Sequence, residues 1–372
     1  MLLESLPCRS TLADRMDPRV GIASRSSGPS VRRSGLTRID LLAVIVCLSL
    51  VVLIALPKLV QMRGDSRRTT CLGNLGDLAL STLNYENDHG LEFPALARAP
   101  GSYIGAPQAC DVTVPSWSWQ VFLLPYMGYE EVYNQLEPTT RLAAEIAIEA
   151  VGEEGQALQT TLQKPLFACP ADQGPSLNNA RWFGPADAKT VDSPGVLRVA
   201  RGNYIGVNAL GAATSFVNLD PLQYPDIPTP NAGVFEAINQ PVEGVAITDG
   251  TSNTFLMGER AWNYRAADQV YPSRAGTQLL NRSTRLPNGS LAPCGSMGVG
   301  SSDTAGASNF GQGINFPHED PLQAMETYSS LHAGGANFAY CDGSTQFVSE
   351  TIDPVTMMEL TTKSEVELPK DD

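Results

Sequence analysis

The sequence predicts an α+β protein in which a long N-terminal helix, apolar in its first half and amphipathic in its second, packs against an antiparallel β-sheet head. Three observations carry this reading. An uninterrupted apolar run fills residues 41–56, apolar side chains recur at helical spacing from Leu72 to Tyr85, and short β-forming runs alternate with Gly-, Asn- and Asp-bearing turns beyond residue 230. The 372 residues allow one large domain or two ordinary ones, enough for a substantial core.

The apolar run reads LLAVIVCLSLVVLIAL, with Ser49 as its one polar residue. Its sixteen residues span about 24 Å as a helix, a little less than a bilayer core. Extension to Leu36 and Val60 completes a membrane span over 36–60. A buried core helix is the weaker alternative, because no polar face interrupts the run. A cleaved secretory signal is also disfavoured: its small-residue cleavage site would fall in Leu56-Pro57-Lys58-Leu59-Val60. Residues 1–35 carry six Arg and three acids, net +3, which leaves −17 on the remainder of a chain of net charge −14. Basic residues flank the run on both sides, Arg25, Arg32, Arg33 and Arg38 against Lys58, Arg63, Arg67 and Arg68, so charge leaves orientation open. Asp40 sits at the front of the run. A carboxylate there costs on the order of 2.5–3.5 kcal/mol at the bilayer centre and less near the interface, so it either snorkels to the headgroups or meets a cation.

Helical patterning resumes after Pro57, so the proline is expected to bend the helix rather than end it. Leu72, Leu75, Leu78, Ala79, Thr82, Leu83 and Tyr85 fall at three- and four-residue spacings. A helix from about residue 39 to about residue 87 would be on the order of 70 Å long, with His89-Gly90 as its stop. In the head, strands are expected at 233–238, 244–248 and 254–259. A further pair, 337–341 and 344–348, flanks Asp342-Gly343, a dipeptide that favours a type I′ hairpin. Asp353-Pro354 starts a short helix, with Pro at its first position. Residues 138–165 read as an inserted helix, and 295–315, with six Gly and four Ser, as a surface loop.

The chain lacks the G-x-S-x-G, H-E-x-x-H, C-x-x-C, Walker and G-x-G-x-x-G patterns, and its acidic balance argues against nucleic acid as a partner. Three histidines leave little room for a His-rich metal centre. His332 and Asp342 invite reading as a dyad. A strand between them, at about 3.3 Å per residue, would hold them roughly 20 Å or more apart, so both are read as architectural. Asp249, Ser252, Asn253 and Glu259 offer oxygens to Ca²⁺. Calcium needs six to eight such ligands and no EF-hand spacing occurs, so the expectation is a turn in which Asp249 bonds local amides. Outside the leader and the apolar helix, which hold Cys8 and Cys47, five cysteines remain: Cys71, Cys110, Cys169, Cys294 and Cys341. They allow at most two disulfides. Cys71 with Cys169 is one candidate pair, and an all-reduced set is the alternative. Trp117, Trp119, Tyr126, Tyr129 and Tyr133 are either core aromatics or a platform for sugars.

The stretch Arg32-Arg33-Ser34-Gly35-Leu36-Thr37-Arg38-Ile39-Asp40-Leu41-Leu42 resembles the type IV prepilin signature, a basic leader ending in Gly before an apolar residue, with a carboxylate four residues later. The resemblance implies cleavage between Gly35 and Leu36 by a prepilin peptidase on the cytoplasmic side, then N-methylation of Leu36. The new amine would lie one helical turn from Asp40 on the same face. Leu36 stands where the signature has Phe, Arg38 where it has an apolar residue and Asp40 where it has Glu. Pro57 falls 21 residues after Leu36, where pilin-like helices carry a kink-forming proline. Met16 is an alternative start, giving a 20-residue leader.

Beyond the stalk the chain is similar to the planctomycete prepilin-like family with a C-terminal H-x9-DG motif, a family of unknown function also labelled bacterial solute-binding family 10. The matching blocks are Cys71-Leu72-Gly73-Asn74-Leu75 with Asn84-Tyr85, then 118–126 (SWQVFLLPY) with Tyr133-Asn134, and Phe167-Ala168-Cys169-Pro170-Ala171-Asp172. They continue with Asn203-Tyr204-Ile205-Gly206, the run from Ile247 through Asp249-Gly250-Thr251-Ser252-Asn253-Thr254 to Gly258-Glu259, and His332 with Asp342-Gly343. The resemblance implies a pilin-like layout: a cytoplasmic leader at 1–35, a transmembrane helix at 36–60, a stalk helix at 61–90 and an extracytoplasmic head at 91–372. It further implies a non-enzymatic, single-pass protein of the cytoplasmic (inner) membrane, with its head in the periplasm or outside the cell. Its partners would be the membrane, a prepilin peptidase, and pilin-like subunits or secretion machinery of the type II kind. No cofactor is expected, although some pseudopilins hold Ca²⁺ through groups like those at 249–259. The alternatives are a solute- or glycan-binding module on a membrane anchor, and a hydrolase built on His89, His318 or His332.

Overall fold

The computed structural model describes residues 37–98, 116–141, 143, 164–183, 196–209, 233–235, 241–281, 284–285, 291–292, 297–299, 313–317 and 328–364. These form an α+β protein whose chain divides into two compact units, Met1–Pro57 and Lys58–Asp372. The inserted helix expected within 138–165 lies for the most part outside the described residues, as does most of the loop at 295–315.

Helix α1, Arg38–Asp88, runs through both units. Thr37 caps its start: the Leu41 amide donates to the Thr37 carbonyl at 3.1 Å, and the Asp40 amide donates to Thr37 Oγ1 at 3.2 Å. Asp40 Oδ2 in return accepts from the Thr37 amide at 2.9 Å and its hydroxyl at 2.8 Å. That reciprocal arrangement is a capping box, a use for Asp40 not foreseen from its place beside an apolar run. The 19 residues Arg38–Leu56 have a mean hydropathy of 3.0 and no buried residue, so one helix near the N-terminus is long and apolar enough to cross a membrane. The backbone stays helical at Pro57. In the second unit α1 buries Cys71, Leu75, Leu78, Ala79 and Thr82, the three- and four-residue rhythm of one packed face. The helix ends at the expected place, with His89 donating to Tyr85 and Gly90 at φ +74°.

The core of the second unit is a five-stranded sheet. Its strands are β1 (Tyr204–Ala209), β2 (Phe255–Glu259), β3 (Met297–Val299), β4 (Gly335–Tyr340) and β5 (Thr345–Ser349), in spatial order β3-β1-β2-β4-β5. All pairings are antiparallel except β3 with β1, which is parallel. This departs from the all-antiparallel expectation, since parallel neighbours need a long crossover that local pattern does not announce. Every residue of β2 and β4 is buried. Two apolar clusters account for this. One joins Leu75, Leu78 and Ala79 of α1 with Trp119, Met257 and Ala339. The other joins Ile205, Phe255, Phe338, Tyr340 and Val348 with Met357 of the helix α2, Pro354–Thr361. Asp353 Oδ2 accepts from the Thr356 amide at 3.0 Å, so the Asp-Pro pair caps that helix.

Three local expectations are corrected. Residues Gly244–Ala246 form a 3₁₀ turn rather than the strand expected at 244–248; Val245 is 80% exposed while Ile247 is buried, so the alternating pair does not share one core-facing side. Gly233–Phe235 is bent rather than extended, and 236–240 lie outside the described residues. The β4–β5 hairpin is not type I′, which requires positive φ at both central residues. Among its turn residues only Gly343 has one, φ +86°, and the Gly343 amide donates to the Tyr340 carbonyl. That is a type I turn followed by a left-handed glycine. Asp342 Oδ1 holds it by accepting from the Ser344 amide and hydroxyl at 2.9 and 2.6 Å.

Gly258 shows how tightly the sheet packs. A Cβ there would stand 2.6 Å from Phe338 Cε1 and 2.6 Å from Tyr328 Cδ1. Gly258→Ala is expected to cost about 1–3 kcal/mol through overpacking. Gly73→Ala, on α1 with nothing within 4 Å, is expected to be neutral or to gain up to about 1 kcal/mol from helix propensity. Urea denaturation midpoints of the two full-length variants in detergent check the pair.

Candidate functional site

A group of buried polar side chains gathers beside the end of β2 that carries Glu259. Glu259, at 2% exposure, accepts from the Asn337 amide at 3.0 Å and from Ser330 Oγ at 2.9 Å through Oε2. Its Oε1 accepts from Asn337 Nδ2 at 2.9 Å. His332, also buried, places Nε2 3.5 Å from Glu259 Oε1 and 3.5 Å from Cys169 Sγ. The distance to the carboxylate exceeds that of a good hydrogen bond, while the distance to sulfur is within hydrogen-bonding range. Cys169 is bonded to Cys71 of α1, so the helix is covalently joined to the centre of the head.

A second buried carboxylate adjoins the first. Asp172 pairs with Arg201, whose side chain is 9% exposed against 4% for the acid. Asp172 also accepts from the Trp262 and Gly174 amides at 2.8 and 2.9 Å and from Asn203 Nδ2. Asn203 is the bridge between the two centres: its Oδ1 accepts from the Cys169 amide at 3.0 Å and from Arg201 Nη1 at 3.1 Å. Its Nδ2 also donates to the Arg260 carbonyl at 2.9 Å. Tyr204, next in sequence, has its hydroxyl 3.4 Å from Asn74 Nδ2 of α1. Burial, reinforced by the Glu259 charge and opposed by the Asn74 amide, holds the Tyr204 phenol well above its usual range. The cavity among Cys169, Asp172, Asn203, Glu259 and Ser330 measures about 10 Å³, the lower bound for a single water and far below the few hundred cubic ångströms of a small-molecule site.

The other end of the same two strands carries the remaining motif residues. Asp249-Gly250 turns the chain into β2, with Gly250 at φ +92°. The Asn253 amide donates to the Gly250 carbonyl at 2.9 Å, and Asn253 Nδ2 to the Asp249 carbonyl at 3.1 Å. Hydrogen bonds through the Asp249 main chain and the Asn253 side chain thus help to close this turn. Ser252 and Asn253 are exposed, and Glu259 stands at the far end of β2, so the four oxygens offered to Ca²⁺ do not share a site. This turn docks on the Asp342-Gly343 turn: the Cys341 amide donates to the Thr254 carbonyl and the Asp342 amide to the Thr251 carbonyl, each at 3.0 Å. The nine residues between His332 and Asp342 are the length of β4 and its approach, which joins the buried centre to the docked turns. His332 and Asp342 form no dyad.

His89 is exposed and stacks on Tyr85 with ring centroids 3.8 Å apart, and His318 lies outside the described residues, as do Gly35 and Leu36. Trp117 and Trp119 are 2% and 0% exposed, so these two are core side chains rather than a platform for sugars. Tyr129 and Tyr133 are half-buried against the same core, and Tyr126 meets Tyr85 edge-on with ring centroids 6.1 Å apart. Burial, together with a hydrogen bond from the phenol to Asp88 and that group's charge, pushes Tyr126 up to about 12. Asp172, Asn203, Arg201, Ser330 and Asn337 were not singled out as site residues. The available signal was Asn337 itself, a lone amide in the otherwise apolar strand GANFAY.

A family profile described as a protein of unknown function (DUF1559), SBP_bac_10, matches residues 61–355, well over half of the chain. The protein belongs to that family. No curated relative and no solved structure matches the chain.

Two outcomes follow from this geometry. Replacing Cys71 and Cys169 by Ser opens a loop spanning 98 residues and is expected to cost about 2–5 kcal/mol, read as a drop in denaturation midpoint. Burial, then the charges of Asp342 and Glu86, hold the Cys341 thiol well above its usual range. Peptide mapping after iodoacetamide treatment at about pH 8.5, where an ordinary thiol is substantially ionised, should find Cys341 unmodified in the folded protein and fully alkylated in guanidinium.

Proposed function

We propose that the protein is a membrane-anchored, prepilin-like structural component with an extracytoplasmic head, processed at Gly35–Leu36 and without enzymatic activity. The observation that carries the reading is α1. Its first stretch, Arg38–Leu56, is apolar and unburied, while its later face, from Cys71 to Thr82, is buried in the head. A single helix that serves lipid at one end and a sheet at the other is the design of a pilin-like subunit.

The capping box adds a second line of support. The cap of the helix, Thr37, is the second residue after the proposed cut, so removing 1–35 leaves the capping hydrogen bonds in place. Asp40 Oδ2 already accepts from the amide that joins Leu36 to Thr37. A methylated amine at Leu36 would therefore sit within a residue of a carboxylate that can offset its charge, within one chain or between neighbours. In a fibre or in the membrane the apolar stretch is the surface that associates, driven by removal from water and oriented by that charge pair. The cramped buried centre and the two buried tryptophans favour this structural role over solute or glycan capture.

Mass spectrometry of the N-terminus from native membranes tests the proposal. The expected result is a chain beginning at N-methyl-Leu36, recovered in the membrane fraction, with a Gly35→Val variant keeping its leader while staying membrane-bound. A native chain that retains its Arg-bearing leader, or one found in the soluble fraction, overturns it.

A further inference from the structure

We propose that Cys71, Cys169, Glu259 and His332 form a redox-gated metal site, which takes Zn²⁺ or a similar borderline-soft divalent cation once a dithiol has reduced the Cys71–Cys169 bond. The two sulfurs, an imidazole nitrogen and a carboxylate oxygen all lie within 4.8 Å of one another, and the four residues are between 0% and 6% exposed. Two thiolates, an imidazole and a carboxylate are a ligand set that suits zinc.

The distances make the case. With metal–sulfur bonds of about 2.3 Å and metal–nitrogen or –oxygen bonds of about 2.0–2.1 Å, a tetrahedron separates sulfur from nitrogen by roughly 3.5 Å and nitrogen from oxygen by roughly 3.3 Å. Cys169 Sγ is 3.5 Å from His332 Nε2, and His332 Nε2 is 3.5 Å from Glu259 Oε1. Both edges are already close to the length that a bound zinc requires, and binding would replace only the sulfur–imidazole contact and the imidazole–carboxylate contact with bonds to the metal. The disulfide edge is out of place: its sulfurs would have to part to about 3.8 Å.

The surroundings supply what such a site needs next. Asn337 and Ser330 fix the Glu259 carboxylate, as outer partners of metal ligands do. Asn337 is fully buried and its Oδ1 has no hydrogen-bond partner, which leaves an unsatisfied acceptor on the amide that holds Glu259. The small cavity lined by Cys169 and Glu259 provides room beside the ligands.

The chemistry balances as thiol–disulfide exchange. The external dithiol gives two electrons and two protons to the Cys71–Cys169 bond and leaves as a disulfide. The cation then displaces the two thiol protons to solvent and forms two metal–sulfur bonds. In the disulfide form the sulfurs carry no thiolate charge and the site is shut. The crosslink and the metal are thus alternative ways of tying α1 to the head.

The test uses the full chain in detergent, reduced with a dithiol, desalted without air and titrated with Co²⁺. The expected result is one Co²⁺ per chain, with thiolate-to-cobalt charge-transfer absorption and the intense visible bands of a tetrahedral site, bleached by one equivalent of Zn²⁺. The disulfide form should show none of this. Glu259→Gln and His332→Ala should each weaken binding by about tenfold or more, and the Cys71→Ser/Cys169→Ser double variant, which keeps every other cysteine, should abolish it. If the reduced chain loses its near-ultraviolet dichroism, recovery of that signal on adding Zn²⁺ also supports the site. The proposal fails if reduced, folded protein gives no charge-transfer band, if unfolded reduced protein is not restored by Zn²⁺, or if the band persists in the double variant.

Discussion

Burying a carboxylate is tolerated only when its lone pairs find donors, and the donors Glu259 uses come from one short stretch far from it in sequence, between Ser330 and Asn337. Ser330 approaches from the segment before β4, Asn337 from β4 itself, and His332 closes the remaining side next to the disulfide. Each partner also bonds elsewhere, the Ser330 amide to Asn315 Oδ1 and the His332 amide to Ser330 Oγ. The requirement to satisfy one acid therefore fixes the approach to β4 against β2, while the disulfide ties α1 through Cys71 to the segment that carries Cys169. Asp172 imposes the same discipline on Arg201, Asn203 and the Trp262 amide. A head with many short strands and long connections gains from such nodes, because they set which segments meet in a way that apolar contact alone does not.

The sequence motifs take on a single meaning in this light. The Cys71–Asn74, Phe167–Asp172, Asn203–Tyr204, Gly258–Glu259 and His332 segments are scattered over more than 250 residues, yet all contribute to the one buried centre. The Asp249–Thr254 and Asp342–Gly343 turns serve the opposite end of the same strand pair, where main-chain bonds dock them together. Spacing in the motif is strand length, and chemistry in the motif is the satisfaction of buried charge.

Much of the fold was legible because local chemistry and tertiary packing agreed. The Leu75–Leu78–Thr82 rhythm, the Asp-Pro start of α2 and the β4–β5 hairpin all rest on interactions a few residues apart. The failures came where that agreement breaks. The run at 244–248 alternates like a strand, but Ile247 enters the core while Val245 stays in solvent, so no single face is buried. The Asp-Gly dipeptide suggested one turn geometry, while the Asp342 carboxylate and Ser344 select another. The parallel placement of β3 depends on a connection that leaves no local trace. At the centre, the participating blocks were visible one by one, but their convergence was not, because Glu259 and His332 are 73 positions apart in the chain. The capping box at Thr37 and Asp40 was readable as T-x-x-D before an apolar run. It was overlooked because the acid was weighed only as a charge in lipid.

The position of the crosslink on α1 has a mechanical corollary. Among the described residues of the helix beyond Pro57, Cys71 is the first to be buried. Tension applied from the apolar end travels along the backbone and reaches a covalent bond before it reaches Leu75 or Leu78. The helix cannot be peeled from the sheet one contact at a time, as a purely apolar seam would allow. The load passes instead through Cys169 into the interior of the head, where rupture would demand breaking sulfur from sulfur or unravelling the whole cap.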